Sequence, residues 1–103
     1  MKLITKEIQN KIANMYDTAD LQDNQKRVYV RFFSTLNNSS FYAVEYDKET
    51  KDFFGFFKSS NPMDSELTYM NLNHMNELNS KTMGLAYERD LHWDDTTTLD
   101  KVK

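Results

Sequence analysis

Three short segments rich in aromatic and β-branched residues constrain the fold of this chain more than any other feature. They are Arg27-Val-Tyr-Val-Arg-Phe-Phe, Phe41-Tyr-Ala-Val-Glu-Tyr and Phe53-Phe-Gly-Phe-Phe. Residues of these types favour β-strands, and the short polar stretches between the segments favour turns. The sequence therefore predicts one antiparallel sheet. Because both faces of that sheet carry large apolar side chains, each face needs a cover, either from the rest of the chain or from a partner.

The alternation of apolar residues within the three segments also predicts a register. In an antiparallel pair, residues directly opposite each other share a face of the sheet. One register places apolar residues opposite each other in both hairpins: Val28 with Tyr46, Val30 with Val44, Phe32 with Tyr42, Tyr46 with Phe54 and Val44 with Phe56. On the other face, this register predicts a diagonal ion pair between Arg31 and Glu45.

One helix is predicted before the strands and a shorter one after them. Three isoleucines recur at intervals of four residues and share one face of a helix: Ile4, Ile8 and Ile12. This helix is expected at about 6–16, with Thr5 as its N-cap. Asn71 is the expected N-cap of the second helix, and residues 84–93 are expected to form a turn and a final strand.

These elements predict an α+β fold. We expect an N-terminal helix packed on an antiparallel meander of three to five strands, with a short second helix before the last strand. A chain of 103 residues is the size of one domain. The polar residues 94–103 are expected to form a loose tail or a single helical turn.

The composition narrows the possible functions. The formal net charge of −3 disfavours nucleic-acid binding, which needs a basic surface. The absence of cysteine excludes disulfides and thiolate chemistry. The N-terminal apolar run is too short for a signal peptide, and no stretch approaches the ~20 apolar residues that span a bilayer. We expect a cytoplasmic protein of a bacterial host that acts without a cofactor, without a membrane and without direct contact with nucleic acid.

Three further segments together resemble a known family. They are the opening Met1-Lys-Leu-Ile-Thr-Lys-Glu-Ile, the strand Val28-Tyr-Val-Arg-Phe-Phe with the later Phe54-Gly, and the closing Gly84-Leu-Ala-Tyr-Glu-Arg-Asp-Leu-His-Trp. The chain resembles an uncharacterised bacterial domain family carried on plasmids, phages and conjugative elements. The resemblance covers nearly the whole chain, and it implies a setting more than a chemistry. Small, acidic, cysteine-free proteins of such elements often inhibit host defence, and this chain is similar in size and general character to anti-CRISPR proteins.

That setting leads to a functional hypothesis, a small inhibitor that binds an RNA-guided DNA nuclease and blocks its nucleic-acid-binding surface. Acidic side chains would complement a basic groove, and an aromatic residue such as Trp93 or Tyr87 would anchor the complex. For Trp93 the alternative is that it packs against its own domain, as a lone tryptophan near a terminus more often does. The expected partner-binding residues are acidic or aromatic: Asp47, Glu49, Asp52, Tyr87, Glu88, Asp90, Trp93, Asp94 and Asp95. The alternative is an accessory protein of plasmid or conjugative-element maintenance that acts as a homo-oligomer through the second face of its sheet.

An enzyme is not expected. Asp47, Glu49 and Lys51 are similar to the acid-and-lysine pattern of metal-dependent nucleases, but they fall in a predicted turn, where charged residues are common. Two pairs of candidate metal ligands fall short of the three or four ligands that a site needs: His74 with Glu77, and His92 with Asp94. The sequence therefore predicts no metal site.

Overall fold

The computed structural model describes residues 2–103. Its helices and strands follow in the order α1 (Lys6–Lys11), β1 (Ala13–Asn14), β2 (Val30–Phe33), β3 (Ser40–Tyr46), β4 (Asp52–Lys58), β5 (Glu66–Asn71), α2 (Leu72–Lys81) and β6 (Glu88–Arg89). Single turns of 3-10 helix lie at Asp23–Gln25, Pro62–Asp64 and Leu99–Lys101. The predicted α+β fold, with an N-terminal helix, an antiparallel meander and a second helix before the last strand, is confirmed.

The sheet has the strand order β5-β4-β3-β2-β6, and all neighbours along this path are antiparallel. The short strand β1 adds to the end of β3 in parallel, beyond the end of β2. β5 and β6 are therefore the two outer strands of the sheet. In this order, one strand, β2, lies between the β3–β4 hairpin and β6.

The register differs from the predicted one. Val30 pairs with Ala43 and Phe32 with Phe41, one residue away from the expected partners. The hairpin closes through a hydrogen bond from the Ser34 N–H to the Ser39 carbonyl at 3.0 Å, and Asn38 in its loop has a left-handed backbone with φ of 56°. The geometry of this turn sets the register, and a slip of one residue moves a side chain to the opposite face.

The register of the second hairpin is also different from the prediction, because β3 contains a bulge. Tyr42 pairs with Phe56, while Tyr46 pairs with Phe53, and the register shifts between Ala43 and Glu45. A bulge adds one residue to one strand and changes which side chains share a face beyond it. Tyr46 therefore lies on the same face as Phe41 and Phe53, not with Val44.

The first face of the sheet is covered by both helices. Its buried core combines strand residues with residues of the N-terminal segment and α2: Leu3, Ile12, Val30, Phe32, Phe41, Ala43, Tyr46, Phe53, Leu72 and Met75. Helix α1 is shorter than the expected 6–16 because Ile12 adopts an extended backbone and leads into β1. Thr5 caps this helix as predicted, since its hydroxyl accepts a hydrogen bond from the Ile8 N–H at 3.2 Å.

The C-terminal segment covers the second face. Leu99 and Val102 pack against Val28, Val44 and Phe56 in a second buried cluster. Two backbone hydrogen bonds, both of 2.8 Å, fix this segment to the residues just before β2. The Val28 N–H donates to the Thr97 carbonyl, and the Leu99 N–H donates to the Lys26 carbonyl. Residues 94–103 are therefore not a loose tail. They contain the single helical turn that was the other expectation, and it is packed.

Two further predictions concern polar residues. Asn71 is the N-cap of α2, as predicted, because its side-chain oxygen accepts hydrogen bonds from the N–H groups of Asn73 and His74. The predicted ion pair between Arg31 and Glu45 is wrong. Arg31 instead bonds Asp90, with 3.1 Å between Nη1 and Oδ2, because β6 lies beside β2.

Candidate protein-binding surface

The predicted partner-binding residues fall into two groups at different places on the molecule. Asp47, Glu49 and Asp52 belong to the β3–β4 hairpin. The others lie along β6 and the segment that follows it: Tyr87, Glu88, Asp90, Trp93, Asp94 and Asp95. Strand β2 lies between the hairpin and β6, and Glu88 pairs with Phe33 at the end of the sheet opposite Asp47, so the hairpin carboxylates do not form one surface with β6.

Trp93, one of the two candidate anchors, packs against its own domain, which was the alternative expectation for it. Its indole Nε1–H donates a hydrogen bond to the Val28 carbonyl at 2.8 Å. Its ring packs on Tyr42, with 5.6 Å between the ring centroids, at the edge of the second core cluster. The side chain is half-buried in this position. These contacts stabilise the fold and leave little of the indole for a partner.

Basic side chains compensate two of the carboxylates in this group. Asp90 forms its ion pair with Arg31 in a half-buried position. Asp95 contacts Arg27 at 3.3 Å and Lys11 at 3.4 Å. A carboxylate that already has a cationic partner contributes less binding free energy to a complex with a basic groove, because the internal partner must first be displaced.

The remaining members of this group also have internal roles. The Thr96 hydroxyl and N–H donate to Asp94 and lower the pKa of its carboxyl, so Asp94 organises the turn that precedes Leu99. Burial raises the pKa of the half-buried Tyr87, whose backbone N–H and carbonyl both bond the side chain of Asn79. Glu88 is half-buried opposite Phe33. Asp94 is the exposed member of the β6 group, and the other five are half-buried.

In the hairpin, Asp47 holds its turn in the same way as Asp94 does. Asp47 accepts hydrogen bonds from the N–H groups of Glu49, at 2.8 Å, and Thr50, at 3.2 Å, and these bonds lower the pKa of Asp47. Its charge is thus fixed at the start of the turn, close to the exposed Glu49. The carboxylate of Asp52 instead accepts a hydrogen bond from the side-chain amide of Asn71, at 2.9 Å.

Sequence reasoning missed the loop that lies beside this hairpin. Glu45 is only 3% exposed, and its carboxylate accepts hydrogen bonds from the backbone N–H groups of Tyr16 and Thr18, both at 2.9 Å. The Thr18 hydroxyl donates a third. Tyr16 was expected in the first helix, but it has a left-handed backbone, with φ of 72°, and its side chain is 70% exposed. The one signal in the sequence was a single acid within the apolar segment 41–46.

The loop and the hairpin together form one exposed surface. Tyr16 and Met15 line a cleft of about 360 Å³ with Asp47, Glu49 and the exposed Lys48 that lies between these two acids in the chain. Asp17 is exposed and lies between the two residues whose backbones Glu45 holds. We call Tyr16, Asp17, Asp47 and Glu49 the acidic end of the molecule.

Residues 3–102 match the model of a family described as a protein of unknown function, DUF2958. The chain belongs to the DUF2958 family. The match extends from Leu3, in the first core, to Val102, in the second, so the C-terminal cover of the sheet is part of this DUF2958 domain. No curated protein and no solved structure shows significant similarity to the chain.

Within residues 2–103, no three His, Asp or Glu side chains lie close enough to hold a metal ion together. None of the helices in the same range is long and apolar enough to cross a membrane. The acidic end presents three carboxylates and a phenol on an outer surface, an arrangement that can complement a basic protein groove.

Proposed function

We propose that this DUF2958 chain is a protein-binding inhibitor from a mobile genetic element that acts in the bacterial cytoplasm. Its target would be an RNA-guided DNA nuclease, and its acidic end would occupy the basic surface on which that nuclease binds nucleic acid. The observation that carries the proposal is the position of Tyr16 beside Asp47 and Glu49, which hydrogen bonds from the loop backbone to the buried carboxylate of Glu45 hold in place.

The charges of the acidic end support this choice of surface. In the part of the chain that the structure describes, Asp17, Asp47 and Glu49 form no ion pair, whereas Asp90 and Asp95 do. Uncompensated carboxylates attract a basic groove and accelerate association with it. A groove built for phosphates offers Lys and Arg side chains to such a surface.

The geometry of the loop supports Tyr16 as the anchor in place of Trp93. Aromatic residues are enriched at the centres of interfaces, where they bury a large area at a small entropic cost. Tyr16 is already held by the Glu45 hydrogen bond to its backbone, so binding does not have to order the loop. Preorganisation of this kind increases affinity because less conformational freedom is lost on association.

A binding and cleavage assay tests the proposal. The purified chain is added to a panel of RNA-guided DNA nucleases, and target-DNA binding and cleavage are measured. We expect inhibition of at least one nuclease, a loss of more than about tenfold in affinity for the Tyr16→Ala/Asp47→Asn/Glu49→Gln variant, and weaker binding at high salt. The control is Asp64→Asn/Glu77→Gln, which removes two exposed carboxylates elsewhere and should inhibit like the unmodified chain. Equal inhibition by both variants, or no inhibition by the unmodified chain, would overturn the proposal.

A second candidate function is favoured by a separate observation, the uncovered outer edge of β5. In this case the chain would be a homo-oligomeric accessory protein in the maintenance of a plasmid or conjugative element. Deletion of its gene would then raise the rate of plasmid loss in cells that lack any RNA-guided nuclease. An unchanged rate of loss in those cells would exclude this candidate.

A further inference from the structure

The outer edge of β5 has the hydrogen-bonding groups of an unpaired strand. The Leu72 N–H bonds the Lys51 carbonyl at 2.8 Å, which fixes the phase of the β4–β5 ladder. In an antiparallel pair, alternate residues direct both backbone groups to the partner strand and the others direct them away. Thr68 and Met70 therefore bond β4, while Leu67 and Tyr69 direct their N–H and carbonyl groups outward.

Exposed apolar side chains accompany these backbone groups. Leu67 is 41% exposed and Tyr69 is 53% exposed, and both lie on the second face of the sheet. The Tyr69 ring packs on Phe54, with 5.1 Å between centroids, so the apolar surface continues from β4 to the edge. The C-terminal segment that covers the centre of this face packs on Val44 and Phe56. At the edge, the side chain of Tyr16 interacts with that of Tyr69 and raises the pKa of Tyr69, but Leu67 and Tyr69 both stay exposed.

β5 lacks most of the features that usually prevent an outer strand from pairing with another chain. Natural sheet edges are guarded by lysine, proline, bulges or very short strands. Glu66–Asn71 contains no lysine or proline, and it pairs with β4 in an unbroken register. The opposite edge of the sheet is protected, because β6 has only two residues and is followed by the Asp90–Arg31 ion pair.

We propose that a second copy of this chain pairs with β5, antiparallel and centred on Thr68. Leu67 of one copy then lies opposite Tyr69 of the other, and each of these two pairs exchanges both of its backbone hydrogen bonds. The register keeps the second faces of the two sheets on the same side. Leu67 and Tyr69 of both copies thus form one apolar stripe across the junction, which extends the sheet through the dimer.

The charges of β5 permit self-association. Glu66 is the only charged residue of the strand. In the proposed register it lies opposite Met70 of the second copy, next to the start of α2 there, where the positive end of the helix dipole favours a carboxylate. No like charges oppose each other across the junction. An interface of one short strand from each copy is small, so we expect dissociation constants in the micromolar range.

The oligomeric state of the purified chain tests the pairing without any target, so the test can fail or succeed independently of the proposed inhibition. Sedimentation velocity is measured from low to high micromolar concentrations. We expect a monomer–dimer equilibrium. Leu67→Lys should shift it to the monomer, because the dimer would then bring two like-charged lysines, one from each copy, into the interface. The control Leu85→Lys replaces a leucine of similar exposure, 46%, away from the edge and should still dimerise.

A cysteine cross-link tests the register. The chain has no cysteine, so one introduced thiol reports one contact. In the proposed register, Thr68 of one copy lies opposite Thr68 of the other in a non-hydrogen-bonded pair. Cα atoms of such a pair are about 4.5 Å apart, and a disulfide fits between them. Thr68→Cys should form a covalent dimer on mild oxidation. Glu66→Cys should not, because the two thiols would be separated by roughly 13 Å along the strands.

Each result bears on the proposal. A monomer at every concentration, with no cross-link through Thr68→Cys, would overturn it. A dimer that Leu67→Lys leaves intact would place the interface elsewhere and would also overturn it. If the pure chain is monomeric but Leu67→Lys abolishes binding to a nuclease, the edge accepts a strand of that partner, and self-pairing is wrong.

Discussion

Oε2 of Glu45 accepts a hydrogen bond from the backbone N–H of Thr18 at 2.9 Å, and the Thr18 hydroxyl donates to the same oxygen. Both residues are buried, and 27 positions of sequence separate them. A buried carboxylate is costly unless hydrogen bonds replace its hydration. These bonds satisfy Glu45 and at the same time hold the loop that presents Tyr16.

Replacement of Glu45 should destabilise the fold and release this loop. Glu45→Gln keeps the size of the side chain but removes the charge and replaces one acceptor oxygen by a donor that faces an N–H group. We expect a loss of about 2 kcal/mol in the free energy of unfolding, measured by urea denaturation. Glu49→Gln, at an exposed position, should change it by less than about 0.5 kcal/mol. Equal stabilities of the two variants would contradict the role of Glu45.

The sequence was sufficient to predict the fold class, because the aromatic segments and the N-caps at Thr5 and Asn71 are local signals. It was not sufficient to predict the register, which depends on a left-handed residue at Asn38 and on the bulge in β3. Neither has a unique sequence pattern. A slip of one residue then misplaced Glu45, so its true partners in the 15–21 loop were missed.

The same limitation affected the candidate site. A charged or aromatic residue in a sequence does not reveal whether a partner inside the domain already occupies it. Asp90 and Trp93 were reasonable candidates by residue type, but Arg31 and the Val28 carbonyl hold them. Tyr16 was hidden because it was expected at the end of the first helix. The positive φ that exposes it follows from the tertiary contact with Glu45.

Trp93 should matter for stability and not for inhibition. Trp93→Phe keeps a ring against Tyr42 but removes the hydrogen bond to the Val28 carbonyl, which would cost about 1 kcal/mol of unfolding free energy. At temperatures where it is folded, the variant should bind its target as the unmodified chain does, measured by calorimetry. A large loss of binding with unchanged stability would show that the indole contacts the partner.

Position 55 requires glycine because a neighbouring strand packs closely against it, and not because of its backbone angles. A Cβ atom at this position would lie 2.1 Å from the Tyr42 carbonyl oxygen on the neighbouring strand, so one of the two strands has to move. We expect Gly55→Ala to lower the unfolding free energy by about 3 kcal/mol or more.

The matched control for this change is the other glycine. Gly84 has a φ of 82°, but a Cβ atom there would have no neighbouring atom within 4 Å, so Gly84→Ala introduces backbone strain without a clash. Its expected cost is about 1 kcal/mol. Thermal unfolding of both variants measures the difference, and a smaller effect at Gly55 than at Gly84 would contradict the pairing of β3 with β4.

The hairpin turn should contribute to the dependence of stability on pH. Hydrogen bonds from the N–H groups of Glu49 and Thr50 lower the pKa of Asp47 in the folded state. The pKa of Asp47 in the unfolded chain is about 4. Because the folded state has the lower pKa, this contribution to stability is fully present above pH ~4 and is lost as the pH falls through the folded value.

Asp47→Asn tests this linkage, because the amide oxygen can still accept the two hydrogen bonds of the turn while the titrating group is removed. Plots of unfolding free energy against pH should be flatter in acid for the variant than for the unmodified chain. The pKa of Asp94 is lowered in the same way, chiefly by the Thr96 hydroxyl. Since the two sites are separate, Asp47→Asn/Asp94→Asn should flatten the acid slope further, by the sum of the single effects. Parallel slopes for all the chains would show that neither turn holds its carboxylate as the structure indicates.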